Sequence, residues 1–328
     1  MILYYAIGGG LGHLVRARAV LHTLSVSDRA AVVTASRFAA DRRVVGDVPV
    51  IRVPEALEGD RAALRRWLAD LVAGLRPERL VVDAFPAGVL GELRDPGVPI
   101  DHVARLVRWS RYARRLDGPL SRIETTFVVE PLRGDHRSAL AAASARMVPL
   151  TLVDPPAPAR DDAAGSALVV HAGPEHEVRA LCALAASTGY PVRVARPGGE
   201  DLDVHPASAL FGSAAAVVTG AGFNAMRQAE PYRERHRYYP FPRPLDDQVA
   251  RAELARRVRL LDDQVARAEL ARRVRLLDDQ RADGPTWATG SASPERWLQA
   301  IQPYSQPPAT SVATYRPVTE PLTRPSPS

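Results

Sequence analysis

The sequence contains no lysine, one cysteine and one asparagine. All 43 basic residues are therefore arginine, and together with the lone Asn224 this indicates a GC-rich coding bias rather than selection for arginine chemistry. Cys182 has no partner for an internal disulfide, and its Ala/Leu-rich neighbourhood favours a small buried hydrophobe over a reactive thiol.

Long apolar runs are also missing. No stretch reaches the roughly 18 consecutive apolar residues that a membrane-spanning helix needs. The first apolar segment, residues 2–7, is too short for a signal sequence and has no basic segment before it. We therefore expect a cytoplasmic protein with at most peripheral membrane contact.

The overall composition is that of a globular protein, with 46% hydrophobic and 24% charged residues. A length of 328 residues suffices for two domains, each with its own core. The net charge of +6 permits attraction to phosphates or to an anionic membrane face. It does not indicate nucleic acid, because no zinc-ligand spacing, recognition-helix pattern or interleaving of aromatic with basic residues accompanies it.

The N-terminal half is predicted to alternate strands and helices. Residues 2–7 form a first strand, and a glycine loop from Gly8 to His13 leads into a helix over residues 14–24. This spacing of elements is typical of a parallel, doubly wound sheet. Further strands are predicted over residues 31–34, 48–53, 80–83, 100–104, 126–129 and 148–153, with a helix over residues 61–75.

The glycine loop does not match a dinucleotide-binding fingerprint. His13 stands where the third glycine of that fingerprint is required. The second strand ends at Ser36 and Arg37, without an acid for the ribose. An NAD-dependent oxidoreductase is therefore a less favoured class.

Asp83 is the last residue of a predicted central strand. An acid at the carboxyl end of such a strand points into the crevice where parallel sheets bind ligands. Two interpretations stay open for Asp83. It contacts a substrate or supports His13, or it caps the turn before the loop that contains Pro86 and Gly88.

Five arginines follow the predicted strand over residues 100–104, on a short helix that also carries Leu106, Trp109 and Tyr112. A solvated basic face is favoured over contact with a phosphorylated or membrane-borne substrate. The five are Arg105, Arg108, Arg111, Arg114 and Arg115.

A second glycine turn, Thr219 to Gly222, is predicted between a buried strand over residues 214–218 and a helix over residues 223–230. A strand, a glycine turn and a helix in this order direct free backbone N–H groups at an anion. The chain then continues through a strand over residues 237–239 and a proline-rich segment, 240–244, to Asp246, Asp247 and Gln248 at a helix start.

Three motifs carry a resemblance to a known family. GGGLGH at residues 8–13, GAGFNAMRQA at 220–229 and PFPRPLDDQ at 240–248 resemble the GT-B glycosyltransferases. Within these, the similarity is to the group of the peptidoglycan lipid-intermediate N-acetylglucosaminyltransferase and its UDP-sugar relatives. The resemblance implies an α/β protein with two Rossmann-like, doubly wound domains facing across a cleft. The expected parts are an acceptor domain at 1–153, a linker at 154–165, a nucleotide-sugar donor domain at 166–302 and a disordered tail at 303–328.

The same resemblance implies a set of site residues. From its own chemistry and its place at a helix start, His13 is expected to be the general base for an acceptor hydroxyl, since neutral imidazole suits that task near pH 7, with Asp83 holding the ring. The alternative is that His13 only caps the loop or bonds a substrate phosphate. Gly9, Gly10 and Gly12 form the acceptor-side loop. No cofactor is expected, because the nucleotide-sugar is a substrate. No metal is expected, because the backbone N–H groups of residues 220–223 and the start of the following helix can stabilise the leaving diphosphate. The expected donor-binding residues are Gly173, Gly220, Ala221, Gly222, Phe223, Asn224, Gln228, Arg243, Asp247 and Gln248.

Two positions depart from the family pattern. Gln228 stands where the family usually has a glutamate that holds the ribose hydroxyls, and Arg251 stands where it has an asparagine. An amide still bonds a hydroxyl but lacks the charge of a carboxylate, so weaker ribose binding is expected. The arginine puts the contacts to the sugar in doubt.

Other polar residues are not assigned to a site. The spacing of His171 and His176 matches no standard metal site, so structural or solvent-exposed roles are favoured. Asp201 and Asp203 lie in a loop flanked by glycine and proline, which favours a solvated turn over a metal-binding acid pair.

Residues 245–260 recur letter for letter at 261–276, and LDDQ begins a third time at Leu277. A straight helix would rotate the second copy by about 160°, so both copies could not present the same face to a core. A recent tandem duplication is therefore favoured over a functional repeat array. A closing helix is predicted over residues 294–301.

The favoured function is an inverting, metal-independent glycosyltransferase of the hexosyltransferase type. Its donor is expected to be a UDP-sugar or another nucleotide-sugar. The acceptor is not identified, and a lipid- or phosphate-bearing one is compatible with the basic residues. A non-catalytic nucleotide-sugar-binding relative and a UDP-sugar epimerase of the same architecture are the alternatives.

Overall fold

The computed structural model describes residues 1–260 and, beyond them, residues 264, 269 and 272. Its first sheet has seven strands, all parallel, in the order β3-β2-β1-β4-β5-β6-β7. These are β1 (Ile2–Ala6), β2 (Ala30–Thr34), β3 (Val50–Arg52), β4 (Arg79–Asp83), β5 (Ile100–Ala104), β6 (Ile123–Val128) and β7 (Ser144–Pro149).

Helices cover both faces of the first sheet, as the βα alternation requires. Tyr4 of β1 packs into the core on one face, while Tyr5 packs on the other face with Leu64 and Leu68. The helices between its strands are α1 (Leu11–Thr23), α2 (Arg42–Val45), α3 (Arg61–Leu75), α4 (Trp109–Ala113) and α5 (Gly134–Ala143), with short 3₁₀ turns at Ser27–Arg29 and Glu55–Leu57.

The second sheet has four parallel strands in the order β11-β10-β8-β9. Its elements are β8 (Ala167–Val170), α6 (Glu175–Ala186), β9 (Val192–Ala195), a 3₁₀ turn at Ala207–Leu210, β10 (Ala216–Gly220), α7 (Phe223–Gln228), a 3₁₀ stretch at Glu230–Arg235 and β11 (His236–Tyr239). Residues 248–260 are again helical.

Each sheet reverses its strand order at one point. In the first sheet the reversal lies between β1 and β4, and in the second it lies between β8 and β10. Ligands of open parallel sheets bind at the carboxyl ends of the strands that flank such a point. Both sheets belong to one compact unit, residues 1–261. The loops after β1, β4, β8 and β10 are therefore where a site is expected.

The predicted alternation of strands and helices is confirmed, and three of its errors concern the edge of the first sheet and the glycine loops. The strand predicted over residues 148–153 is wrong, because β7 ends at Pro149 and the residues after it have no regular structure. The cause is that β7 is a half-exposed edge strand with polar Ser144 and Arg146, so the apolar pattern lies beyond the true pairing. The helix α5 before it was not predicted.

The other two errors concern the glycine loops. The helix α1 begins at Leu11 rather than at residue 14, with Gly10 as its N-cap, so His13 lies in the first helical turn. The strand β10 continues to Gly220, which shortens the second turn, and α7 ends at Gln228 instead of residue 230.

Several predictions fall on residues outside the described part of the chain. They are the second repeat copy at 261–276, the closing helix at 294–301 and the tail at 303–328. The domain boundaries at 153 and 165 stay predictions. No helix in the described part has the length and apolar character needed to cross a membrane.

Candidate functional site

A cavity of about 480 Å³ lies between the two sheets, at the place that the strand reversals indicate. It brings together predicted residues from distant parts of the chain. Those that line it are Gly9, Gly10, Gly12, His13, Gly173, Gly220, Gly222, Phe223, Asn224, Gln228, Arg243 and Gln248, joined by Arg16, Arg105, His171 and Asp246.

His13 is held by Asp83, which lies at the end of β4. The Nδ1 atom of His13 is 2.6 Å from Asp83 Oδ2. Asp83 also accepts hydrogen bonds from Arg16 Nε at 2.6 Å, from Arg16 Nη2 at 2.5 Å and from the Tyr4 hydroxyl at 3.1 Å. The Asp83 carboxylate is thus engaged by His13, Arg16 and Tyr4, and among the described residues no backbone N–H of the following turn donates to it.

The charges around this pair fix its protonation. Burial alone would raise the pKa of Asp83, but Arg16 and His13 hold it well below the usual range of a carboxyl group. Burial lowers the pKa of His13, and its hydrogen bond to Asp83 opposes this only in part. An ionised Asp83 therefore accepts a hydrogen bond from Nδ1–H of a neutral ring, and this tautomer leaves Nε2 able to accept a proton.

Gly8 is required by the position of this ring. A Cβ atom added to Gly8 would lie only 2.4 Å from His13 Nε2. The loop after β1 thus passes directly against the nitrogen that could act as a base. The first turn of α1 contains no acidic residue, and no side chain caps its N-terminus.

The turn after β10 supplies the opposite wall. Asn224 Nδ2 donates to the carbonyl oxygen of Gly12 at 2.7 Å, which links α7 to the glycine loop of the first sheet. Gln228 lines the cavity, and its Nε2 donates to Asp154 Oδ2 at 3.1 Å. Ala221 does not line the cavity; its backbone N–H donates to Tyr239 and its carbonyl oxygen accepts from Arg251.

A second histidine lines the cavity, and sequence reasoning missed it. His171 follows β8, and its Nε2 lies 2.6 Å from Glu177 Oε2. Arg243 donates to both oxygens of Glu177, each at 2.5 Å. The signal in the sequence is a histidine directly after a buried strand, the same place in the second sheet that the glycine loop occupies in the first.

The residues 246–248 are distributed differently from the prediction. Asp246 lines the cavity, whereas Asp247 lies outside it, 3.1 Å from Arg133 Nη2 and 4.0 Å from Arg108 Nε. Gln248 lines the cavity, but its Oε1 is occupied by the backbone N–H of Phe241 at 3.0 Å.

A buried charge cluster stands behind Asp246 and joins the two sheets. Arg105 Nη1 donates to Asp246 Oδ1 at 2.5 Å, and Arg251 Nη2 donates to the same oxygen at 3.0 Å. Burial would raise the pKa of Asp246, but the two arginines hold it well below its usual range. Arg105 is only 6% exposed, so the predicted solvated basic face is wrong for this residue.

No cluster of histidine, cysteine or carboxylate side chains suited to a metal ion occurs among the described residues. His176 is exposed. Asp201 accepts a hydrogen bond from the backbone of Val194, and Asp203 pairs with Arg43. Neither acid lines the cavity.

Comparison with solved structures identifies the architecture. The spinosyn forosaminyltransferase is similar over 77% of this chain and 82% of its own, with a TM-score of 0.52 and 14% sequence identity. The chain has the GT-B fold. A UDP-glucose:anthocyanidin 3-O-glucosyltransferase (TM-score 0.49, 14% identity) and the kitacinnamycin glycotransferase (0.47, 16%) are also similar, each over 77% of this chain and 83% of its own. Neither a protein-family profile nor a curated protein matches the sequence.

In this GT-B fold, the cavity is bounded by the strand reversals of both sheets. One wall carries a histidine with a free nitrogen and an ionised acid behind it. The other wall carries glycine turns, Arg243 and amide side chains. The arrangement can hold an anionic ligand on one side and remove a proton from a second ligand on the other.

Proposed function

We propose that the protein is a glycosyltransferase that moves a sugar from a nucleotide diphosphate-sugar to an acceptor hydroxyl. The observation that carries the proposal is the His13–Asp83 pair, which lies in the same cavity as the glycine turn after β10. The donor lies along the second sheet, and the acceptor enters over the loop that follows β1.

The first half of the mechanism is proton removal from the acceptor. The acceptor hydroxyl donates to His13 Nε2, which takes its proton as the oxygen attacks the anomeric carbon of the sugar. Asp83 holds the ring through Nδ1 and stabilises the imidazolium that forms. Attack from the face opposite the leaving group inverts the anomeric carbon in a single displacement.

The second half is stabilisation of the leaving diphosphate. Negative charge grows on its oxygens as the glycosidic bond breaks. Backbone N–H groups near Gly222 and Phe223, together with Arg243, supply positive charge there. We propose that these groups suffice without a metal ion or a cofactor.

For the donor we propose a UDP-linked hexose, because the motifs at residues 220–229 and 240–248 resemble the peptidoglycan N-acetylglucosaminyltransferase group. Gln228 contacts the ribose hydroxyls in this proposal. Asp247 and Gln248 were the expected sugar contacts. Of the two acids Asp246 and Asp247, Asp246 lines the cavity and is therefore the better placed to contact the sugar.

The test is a calorimetric titration with UDP, dTDP and GDP, followed by a turnover assay with the matching nucleotide-sugars. UDP is expected to bind most tightly, and a UDP-sugar is expected to release UDP only when an acceptor is present. Failure of all three nucleotides at millimolar concentration would refute the donor site. Binding without turnover would favour a non-catalytic relative, and an epimerised nucleotide-sugar as product would favour an epimerase.

A further inference from the structure

The cavity contains two histidines that are held in the same way. His13 follows β1 and is backed by Asp83 and Arg16, whereas His171 follows β8 and is backed by Glu177 and Arg243. Glu177 is 3% exposed and accepts from both nitrogens of the Arg243 fork. The mechanism proposed above uses only the first histidine.

The ring of His171 is fixed so that Nδ1 remains available. Its Nε2 is engaged by Glu177, and no hydrogen bond joins Nδ1 to any other residue in the described part of the chain. A Cβ atom added to Gly220 would lie 3.4 Å from Nδ1, so this nitrogen faces the glycine turn that bounds the cavity. Phe241 packs against the ring, with 5.3 Å between the ring centroids.

We infer that His171 is a second functional residue of the site, one that binds a phosphate oxygen of the donor through Nδ1 as an imidazolium. The inference rests on the proposed function, because it takes the ligand to be a nucleoside diphosphate. A phosphate oxygen accepts hydrogen bonds and does not donate them, and the ionised Glu177 does the same. Contact with both requires a proton on each ring nitrogen.

This requirement couples donor binding to proton uptake. In the empty cavity, burial lowers the pKa of His171, and the charges of Arg243 and Arg196 lower it further, while Glu177 opposes them. A bound diphosphate adds negative charge beside Nδ1 and raises this pKa, so a proton is taken from solvent. The charged side chains around the ring are Glu177, Arg243, Arg196 with its partner Glu175, and Arg37, which reaches the carbonyl oxygen of Ala172.

The same proton serves the reaction. When the bond between the anomeric carbon and the diphosphate oxygen breaks, its electron pair stays on that oxygen. The imidazolium of His171 balances the new charge by its hydrogen bond and keeps its proton until the nucleoside diphosphate leaves. The proton removed from the acceptor goes separately to His13.

The test is calorimetric titration of the full chain with UDP at about pH 7.5, in two buffers with different ionisation enthalpies. At this pH the second phosphate proton of UDP, with a pKa near 6, has already been lost. We expect wild type to take up ~0.5 proton or more per UDP bound. In His171→Gln the uptake should disappear, and UDP affinity should fall about tenfold or more.

Two further variants make the result specific. His176→Gln changes an exposed histidine directly before Glu177 and should behave as wild type. Glu177→Gln keeps an acceptor for Nε2 but removes its charge, so proton uptake should fall while the melting temperature shows whether the chain is folded. Wild-type binding without proton uptake, or equal uptake in His171→Gln, would overturn the role of His171 alone. Absence of nucleotide binding in folded wild type would overturn this role together with the proposed function.

Discussion

Arg251 and Glu130 form a bidentate ion pair between the two sheets, with Arg251 Nε and Nη2 at 2.8 and 2.7 Å from the two carboxylate oxygens. Arg251 also donates to Asp246 and to the carbonyl oxygens of Ala221 and Leu106. Arg251, which stands where the family has an asparagine, thus links the two halves of the cavity wall.

Replacing Arg251 should therefore destabilise the whole unit. Arg251→Ala leaves Glu130 and Asp246 with fewer partners in a buried place, and we expect a loss of about 3–5 kcal/mol in the free energy of unfolding. Arg257, exposed on the same helical stretch, is the matched control and should change it by less than about 0.5 kcal/mol on replacement by Ala. Urea denaturation measures both.

The repeat makes a second background necessary for this measurement. Residues 261–276 carry the same sequence as 245–260, so Arg251→Ala should also be made in a chain that lacks 261–276. There the second copy cannot replace the first. Equal stability of Arg251→Ala and wild type in that background would show that the ion pair contributes nothing to folding.

The role of His13 as the base predicts a change in turnover without a change in donor affinity. His13→Ala should lower kcat by roughly a hundredfold or more and leave the Kd for UDP nearly unchanged. Asp83→Asn should also lower kcat, since its amide no longer favours the tautomer with the proton on Nδ1. Steady-state kinetics and calorimetry together measure both effects, and near-normal turnover in His13→Ala would exclude the base role.

Gly222 offers a way to block the donor without disturbing the fold. A Cβ atom at this position would meet no atom within 4 Å, and its φ of −72° suits any residue, so Gly222→Val should fold as wild type. The added side chain would occupy the place of the diphosphate, and we expect at least a tenfold weaker Kd for UDP. Gly74→Val in α3, also in open space, is the control away from the cavity. Unchanged UDP affinity in Gly222→Val would move the diphosphate elsewhere.

Protonation of His136 is expected to cause part of the loss of folding stability at acidic pH. His136 is fully buried, stacks on Trp109 at 4.6 Å between ring centroids, and both of its ring nitrogens lack a hydrogen-bond partner among the described residues. Burial lowers its pKa to about 4, against about 6.5 in an unfolded chain. The unfolded chain therefore binds the proton first as the pH falls. The contribution of His136 to stability is complete above about pH 6.5 and is lost on the way down to about pH 4.

The measurement is the pH dependence of the free energy of unfolding, compared between wild type and His136→Phe. Wild type should lose about 2 kcal/mol more than His136→Phe between pH 7 and pH 5, because phenylalanine keeps the stacking but cannot be protonated. Parallel curves for the two proteins would mean that His136 is not protonated on unfolding. His176→Gln, which changes an exposed histidine, should follow wild type throughout.

The sequence predicted the local elements well where apolar periodicity is strong. The helix Arg61–Leu75 and the strand Ile100–Ala104 were predicted to the residue, because each carries a clear buried pattern. The edge strand β7 was misplaced, since four of its six residues are exposed and none is buried. In the site, the glycine loops could be recognised as sequence motifs. Arg251 and Glu130 could not be paired in this way, because they are 121 residues apart and only the packing of the two sheets brings them together.

The link between Arg251 and Glu130 bears on how long a ligand stays bound. Arg105 and Asp246 line the cavity from opposite sheets and belong to the same cluster as that pair. Movement of the two sheets away from each other on this side of the cavity would break these ion pairs. On the proposed function, Arg251 then slows the release of a nucleotide although it does not line the cavity, so stopped-flow release of UDP should be faster from Arg251→Ala than from wild type.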